Sequence, residues 1–154
     1  MIKETIFSPC RNYRYTLWRE WGVGKGVAMF IGLNPSTADE VNNDPTVRRC
    51  INYAMKWGYA AMYMSNIFAF RATDPAVMMK HDEPIGHEND QYLTAMAKDS
   101  SIIVAAWGNH GAFMARDYEV KKLLSNLHCL RVTKTGQPAH PLYLPSNLAP
   151  VKFN

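Results

Sequence analysis

Short apolar runs alternate with amphipathic segments along most of the chain. Residues 13–21 alternate aromatic or aliphatic side chains with polar ones, which predicts an edge strand. Three closely spaced glycines then precede the apolar run 27–33, which predicts a turn followed by a buried strand. Similar apolar runs predict three further strands, over residues 60–65, 101–107 and 128–133.

Capping signals and apolar periodicity predict the helices between these strands. The pairs Asp44-Pro45 and Asp74-Pro75 each place an N-cap aspartate before a proline that suits the first helical position. Apolar residues at helical spacing predict helices over 45–57, in a short stretch after Pro75, over 86–98 and over 112–124. The proline-rich tail from Gly136 onward is predicted to be irregular.

Strands that alternate with helices, without repeats or linkers, predict an α/β fold. We expect three α/β/α layers around a mostly parallel, four-stranded central sheet, with an additional N-terminal edge strand. A chain of 154 residues with 47% hydrophobic content is expected to form one domain over residues 1–154. Ligands of such sheets bind outside the carboxyl ends of the strands, so a site is expected where the loops after the strands meet.

Composition narrows the classes of function only slightly. The net charge of +4 is compatible with a polyanionic partner, although the chain has no dense basic run. Three widely spaced cysteines favour neither a disulfide framework nor a cysteine-based metal site. The chain has no run of eighteen apolar residues and no signal-peptide pattern at its N-terminus. We therefore expect a cytoplasmic monomer without membrane association, cofactor or metal.

Two charged segments allow more than one interpretation. Arg48 and Arg49, at the start of a predicted helix, either bind a phosphate or form a solvated charged face. The segment 81–90, HDEPIGHEND, contains many potential metal ligands. Pro84 and Gly86 break any helix that would align these ligands, and no metal site is predicted there.

Three polar residues stand at predicted strand ends or beside prolines: Asn34, Asn66 and His140. Amide and imidazole side chains near aromatic rings suit a planar, hydrogen-bonding ligand, for which a nucleobase is the natural candidate. Asn66 would read the edge of the base, and Phe68 or Phe70 would stack on its face. Each polar residue also has a purely structural interpretation, as a turn former, a strand-end cap or a loop histidine bonded to backbone.

Four segments resemble, in order, motifs of the uracil-DNA glycosylase superfamily. They are IGLNPS (31–36), MYMSNIFAFRATDP (62–75), IIVAAWGNHGAF (102–113) and GQPAHPLYL (136–144). The first resembles the mismatch-specific variant, in which asparagine precedes the proline. The last departs from the His-Pro-Ser pattern of active members, since it contains His140-Pro141-Leu142. The whole chain is also similar to an uncharacterised bacterial and phage domain family, of unknown function, associated with this superfamily.

The resemblance implies a monofunctional DNA glycosylase that hydrolyses the N-glycosidic bond of uracil or of another damaged or modified base. Asn34 would position the attacking water, and His140 would donate a hydrogen bond to the base as negative charge develops on it. The implied base-binding residues are Leu33, Asn66, Phe68 and Phe70. The implied DNA contacts are Ser36, Thr37, Asn109, Leu142 and Tyr143, of which Leu142 or Tyr143 would fill the space left by the extruded base.

Two other functions stay open. The first is a nucleoside or nucleotide N-glycosidase, or another base-modification enzyme, that uses the same pocket on a small molecule. The second is a non-catalytic relative that binds nucleic acid. DNA is the expected partner of the leading hypothesis, and the sequence does not determine whether the DNA is single- or double-stranded.

Overall fold

Seven strands form one mixed sheet in a computed structural model that describes residues 1–154. In chain order they are β1 (Ile2–Phe7), β2 (Arg14–Glu20), β3 (Val27–Gly32), β4 (Ala61–Asn66), β5 (Ile102–Ala105), β6 (Leu127–Cys129) and β7 (Val151–Lys152). Their order in the sheet is β1-β2-β4-β3-β5-β6-β7. The pairs β4-β3, β3-β5 and β5-β6 are parallel, and the pairs β1-β2, β2-β4 and β6-β7 are antiparallel.

The expectation of a four-stranded, mostly parallel sheet is therefore wrong. Two strands, β1 and β7, extend the sheet at its two edges, and β2 lies inside the sheet rather than at its edge. Most residues of β1 and β7 are exposed, so these strands are held by backbone pairing and not by an apolar face. Such strands have no apolar run from which they can be predicted.

Four α-helices pack on this sheet: α1 (Pro45–Lys56), α2 (Pro75–Lys80), α3 (Asn89–Lys98) and α4 (Arg116–Leu123). The predicted caps of α1 and α2 are confirmed, since Asp44 and Asp74 accept hydrogen bonds from backbone N–H groups in the first turn. The helix predicted over 112–124 begins only at Arg116, because a 3₁₀ segment (Asn109–Ala115) ends in two left-handed residues. None of these helices is long and apolar enough to span a membrane.

The predicted strand over 128–133 is also shorter in the structure, since β6 ends at Cys129. Beyond it the chain turns back on itself. Val132 forms a single antiparallel bridge with Pro138, and the Thr133 amide donates to the Gln137 carbonyl. Backbone bonding within this turn takes the place of pairing in the sheet.

Buried apolar side chains cover both faces of the sheet. Along β3, Ala28 and Phe30 point to the cluster that contains Val47, Cys50 and Ile51 of α1. Met29 and Ile31 point to the opposite cluster, which contains residues of α3 and α4. This alternation fixes the register of β3, because a shift of one residue would exchange the two faces.

The parallel register brings three strand ends together at one edge of the sheet. Gly32 at the end of β3 pairs with Asn66 at the end of β4. On the other side of β3, Ile31 pairs with Ala105 at the end of β5. The loops that follow these strands therefore leave the sheet side by side.

Candidate functional site

A cleft of about 590 Å³ lies at this edge of the sheet. The loops after β3, β4 and β5 line it, together with His140 and Leu142 of the C-terminal tail and the N-terminus of α1. The loops expected from the sequence to meet therefore do meet. Of the predicted site residues, seven line the cleft: Leu33, Asn34, Ser36, Asn66, Asn109, His140 and Leu142.

Asn34 presents a hydrogen-bond acceptor to the cleft. Its Nδ2 donates to the carbonyl oxygen of Ala72 at 2.7 Å and to that of Pro35 at 3.2 Å. Because carbonyl oxygens only accept, these contacts fix which end of the amide is the nitrogen. Oδ1 accepts no hydrogen bond from the protein and is available to a ligand or a water.

Asn66 presents a donor to the same cleft. Its side chain is almost fully buried, and Nη2 of Arg14 donates to Oδ1 at 3.3 Å. An arginine only donates, so Nδ2 is the other end of the amide, and this nitrogen has no acceptor within the protein. Gly32 makes room for it, since a Cβ at Gly32 would lie 2.9 Å from Asn66 Nδ2.

Arg14 supports Asn66 from beneath the cleft and is 2% exposed. Its Nη1 donates to the carbonyl of Ala38 at 3.0 Å, and its Nε has no partner. Burial lowers the pKa of Arg14 to about 10, an effect that the negative charge of Asp44 opposes. The guanidinium is therefore still charged at neutral pH. Sequence reasoning missed this residue, because an arginine is an ordinary polar residue in a strand that alternates polar with apolar side chains.

Two more buried side chains hold the backbone at the end of β4. Nδ2 of Asn89 donates to the carbonyl oxygens of Asn66 at 2.9 Å and of Ile67 at 3.2 Å. Nε of Arg116 also donates to the Ile67 carbonyl, at 2.8 Å. Both side chains are buried, so the turn after Asn66 is fixed by groups that are shielded from water. Neither residue was predicted to belong to the site.

His140 presents a second donor. The backbone N–H of Leu142 donates to Nδ1 of His140 at 3.2 Å, so Nδ1 carries no proton and the neutral ring carries its proton on Nε2. Loss of surrounding water lowers the pKa of His140, and the charge of Asp44 partly opposes this. The ring is therefore neutral at pH 7.

The hydroxyl and amide groups expected to contact DNA are already partly occupied. Ser36 Oγ donates to Thr73 Oγ1 at 3.4 Å within the lining of the cleft. Oδ1 of Asn109 accepts from the hydroxyls of Thr133 and Thr135, both at 2.7 Å. The side-chain amide nitrogen of Asn109 makes no hydrogen bond within the protein and is available to a ligand. Thr37 is exposed and lies outside the lining of the cleft.

The aromatic rings expected at the site do not line the cleft. Phe68 is fully buried and packs against Phe113, with ring centroids 5.7 Å apart. Phe70 stacks on His81 at a centroid distance of 3.9 Å. The structure therefore gives neither phenylalanine as a stacking face, and Tyr143 lies outside the cleft. The apolar side chains that line it are those of Leu33, Met64, Ala72, Trp107 and Leu142.

Side chains of α1 and of its C-cap residue, Trp57, hold the tail that carries His140. Arg49 Nη2 donates to Leu144 O, Tyr53 Oη to Pro145 O, Lys56 Nζ to Ser146 O, and Trp57 Nε1 to Leu148 O. We call these four hydrogen bonds the tail clamp. Arg49 is thus engaged with the tail, whereas Arg48 is exposed and makes one hydrogen bond, to the carbonyl of Asn43.

The potential metal ligands of segment 81–90 are dispersed in the structure. His87 pairs with Glu83 at 3.0 Å, and Asp90 pairs with the buried Arg116. His81 Nδ1 accepts from the Glu83 amide. No group of three or more His, Cys, Asp or Glu side chains converges as a metal site would require, and all three cysteines are free.

Comparison with known proteins identifies a family without assigning an activity. No curated protein and no solved structure matches the chain. The model of a family described as "Protein of unknown function (DUF1643)" matches residues 14–142, from the start of β2 to the loop that carries His140. Because this match covers well over half of the 154 residues, the chain belongs to the DUF1643 family.

Proposed function

We propose that the cleft binds a nucleobase and that the protein hydrolyses the N-glycosidic bond of uracil or of another damaged or modified base. One observation carries this proposal. Three side chains around one cleft have a hydrogen-bond polarity that their protein partners fix: Asn34 Oδ1 accepts, and Asn66 Nδ2 and His140 Nε2 donate. We further propose DNA as the partner of a cytoplasmic monomer.

This pattern matches what base release requires. When the bond between the sugar and the base breaks, its electron pair leaves with the base, and the sugar becomes an oxocarbenium-like cation that water attacks. His140 and Asn66 donate to the base, on which negative charge grows, and a water held by Asn34 adds to the sugar. The proton of this water passes to solvent, because an amide does not take up a proton.

The resemblance to the uracil-DNA glycosylase superfamily adds support of a different kind. The segments that resemble its first and last motifs contribute Asn34 and His140, which face one cleft. The asparagine of the first motif, whose amide does not take up a proton, and the departure at His140-Pro141-Leu142 point toward slow chemistry.

A second candidate, a non-catalytic binder of nucleic acid, is favoured by one observation. Asp44 is the single carboxylate that lines the cleft. Its Oδ1 accepts from the Val47 amide at 2.8 Å, and its Oδ2 accepts from the Ala38 amide at 3.3 Å. Both oxygens are therefore engaged in structure, and the cleft has no free carboxylate to act as general base.

The test is release of a base from oligonucleotides. Single- and double-stranded oligonucleotides that carry uracil, mismatched, deaminated or hypermodified bases are incubated with the protein and heated in alkali, which cuts abasic sites. We expect His140→Ala and Asn34→Ala each to slow release. For His140→Ala, which removes the donor that stabilises the anion, the rate should fall on the order of 100-fold. The matched controls are His87→Ala and Asn147→Ala, which alter exposed residues outside the cleft.

The outcomes separate the candidate functions. If wild-type protein cuts and the His140 and Asn34 variants match its rate, the assignment of these residues is wrong. DNA binding without cleavage across the whole panel would identify a binder. Release of a free base from nucleosides, but not from oligonucleotides, would identify an enzyme that acts on small molecules.

A further inference from the structure

A second groove, of about 680 Å³, adjoins the cleft. Six residues line it: Pro45, Arg48, Arg49, Asn52, Leu142 and Tyr143. Two of them, Pro45 and Leu142, also line the cleft, so the two surfaces are continuous. The lining contains two guanidinium groups and no carboxylate. A phosphodiester strand that leaves the cleft on this side would meet positive charge and no opposing negative charge.

Tyr143 is the most unusual residue of the groove. Its side chain is 99% exposed, and its backbone is left-handed, with φ of 70°. For a residue with a Cβ this conformation costs energy, and an exposed ring buries nothing that offsets it. The residues on either side of it are held, since the Leu144 amide donates to Pro141 O at 3.4 Å and Arg49 donates to Leu144 O. The fold thus keeps a free aromatic face beside the groove.

The opposite side of the groove offers polar groups for a nucleic-acid backbone. Arg48 and Asn52 are four residues apart on α1 and so lie on the same side of the helix. Arg48 uses Nη1 on the Asn43 carbonyl at 2.8 Å, which leaves Nη2 and Nε free. The Asn52 side chain is exposed and makes no hydrogen bond within the protein.

We propose that this groove binds the strand next to the base in the cleft, so that the substrate is a single-stranded polynucleotide and not a free nucleoside. A neighbouring base stacks on Tyr143, a phosphate pairs with Arg48, and Asn52 bonds to the sugar-phosphate backbone. The inference rests on the nucleobase function proposed for the cleft. A single strand fits because its bases expose both faces for stacking, whereas duplex bases already stack on one another.

Binding is measured separately from base release. The probe is a fluorescent oligothymidylate, which carries no damaged base, and its affinity is followed by anisotropy. A matching oligouridylate distinguishes RNA from DNA, a thymidine–adenine duplex tests strandedness, and thymidine monophosphate is the free competitor. The variants are Tyr143→Ala, Tyr143→Phe and Arg48→Ala. Tyr118→Ala is the control, because Tyr118 is also well exposed but lies on α4, away from the groove.

We expect Tyr143→Ala to raise the Kd of the single strand about tenfold, and Tyr143→Phe to restore it, because phenylalanine keeps the stacking face. Arg48→Ala should reduce the slope of log Kd against log salt by roughly 0.7, as expected for one lost phosphate contact with a single strand. Tyr118→Ala should bind as wild type does. Thymidine monophosphate should compete poorly with the oligonucleotide.

Three outcomes would overturn the inference: Tyr143→Ala binding as tightly as wild type, the duplex binding tighter than the single strand, or no binding of either oligonucleotide. If neither oligonucleotide binds but base is released from free nucleosides, the proposed chemistry is supported and the proposed role of the groove is rejected. Binding that depends on Tyr143 and Arg48, with no base released from the damaged panel, would support the groove and reject the chemistry.

Discussion

The two walls of the cleft are held in different ways. The wall that presents Asn34 and Asn66 rises from the ends of β3 and β4, and buried side chains from other parts of the chain fix it from beneath. The wall that presents His140 belongs to an irregular tail, and the tail clamp holds this tail against α1. One wall is part of the protein interior, and the other is attached to its surface.

This difference bears on what each wall can do. Buried side chains that several hydrogen bonds hold in place have few alternative geometries. The Asn66 wall is therefore suited to select a base by shape and hydrogen-bond pattern. The bonds of the tail clamp each contribute about 1 kcal/mol, so that wall can be loosened one bond at a time.

The largest expected effect follows removal of the buried guanidinium of Arg14. Arg14→Leu leaves the carbonyl of Ala38 and Oδ1 of Asn66 without their donors in the interior. We expect the free energy of unfolding to fall by about 3 kcal/mol, measured by urea denaturation with an unchanged m value. Ligand binding in the cleft should weaken as well, because the Asn66 amide loses its fixed orientation.

A control variant on the same segment separates this role from a general effect of charge. Arg11→Leu removes an exposed guanidinium that pairs with Glu40, and its effect on stability should be small. If Arg14→Leu were as mild as Arg11→Leu, the Asn66 wall would not depend on Arg14. The Asn66 wall would then not be held by this interior contact, and the two walls would not differ in the way described above.

The parts of the fold that follow from local signals could be predicted. Apolar runs located β3, β4 and β5, and aspartate-proline pairs located the starts of α1 and α2. Strands β1 and β7 could not be found in this way, because backbone pairing with distant partners creates them and leaves no pattern in their own residues. The mixed character of the sheet is a consequence of these pairings and of the antiparallel pair β2-β4.

The candidate site likewise contains residues that local sequence signals identify and residues that only long-range contacts bring in. Asn34, Asn66 and His140 could be proposed because each stands beside a recognisable strand end or proline. The sequence did not show that Phe68 turns into the core, since a residue two positions after a strand has no defined face. Arg14 was also missed, because it contacts Asn66 from 52 residues away in the chain. Long-range contacts of this kind leave no trace in local spacing.

A smaller effect should follow removal of one bond of the tail clamp. Tyr53→Phe keeps the buried ring but loses the hydroxyl that donates to Pro145 O at 2.7 Å, at a cost of about 1 kcal/mol. We expect the amides of Leu142 and Leu144, which donate hydrogen bonds within the tail, to exchange hydrogen faster, while amides at the end of β4 keep their protection. Tyr63→Phe is the matched control, because it loses a bond of the same length to Asp99 far from the tail. Unchanged exchange in the tail would show that the clamp does not hold this wall.

The smallest expected effect is a pH dependence confined to the His140 wall. Loss of surrounding water lowers the pKa of His140 below its ordinary value of 6.5, so the neutral ring is favoured in the folded protein. Protonation places a hydrogen on Nδ1 and breaks the bond from the Leu142 amide. Because the pKa is lower in the folded state than in the unfolded state, this contribution to stability is present above pH 6.5 and is lost as pH falls through the folded pKa.

An NMR titration of the His140 ring measures this directly, and its midpoint should lie below 6.5. Asp44→Asn sharpens the test, since asparagine still caps α1 but removes the negative charge that raises the pKa of His140. The midpoint should therefore move further down in this variant. A midpoint that rises in Asp44→Asn would contradict the electrostatic assignment.

Resonances of the Asn66 wall should stay unchanged through the titration, because arginine and asparagine side chains hold that wall. If they moved together with His140, the two walls would be one coupled unit.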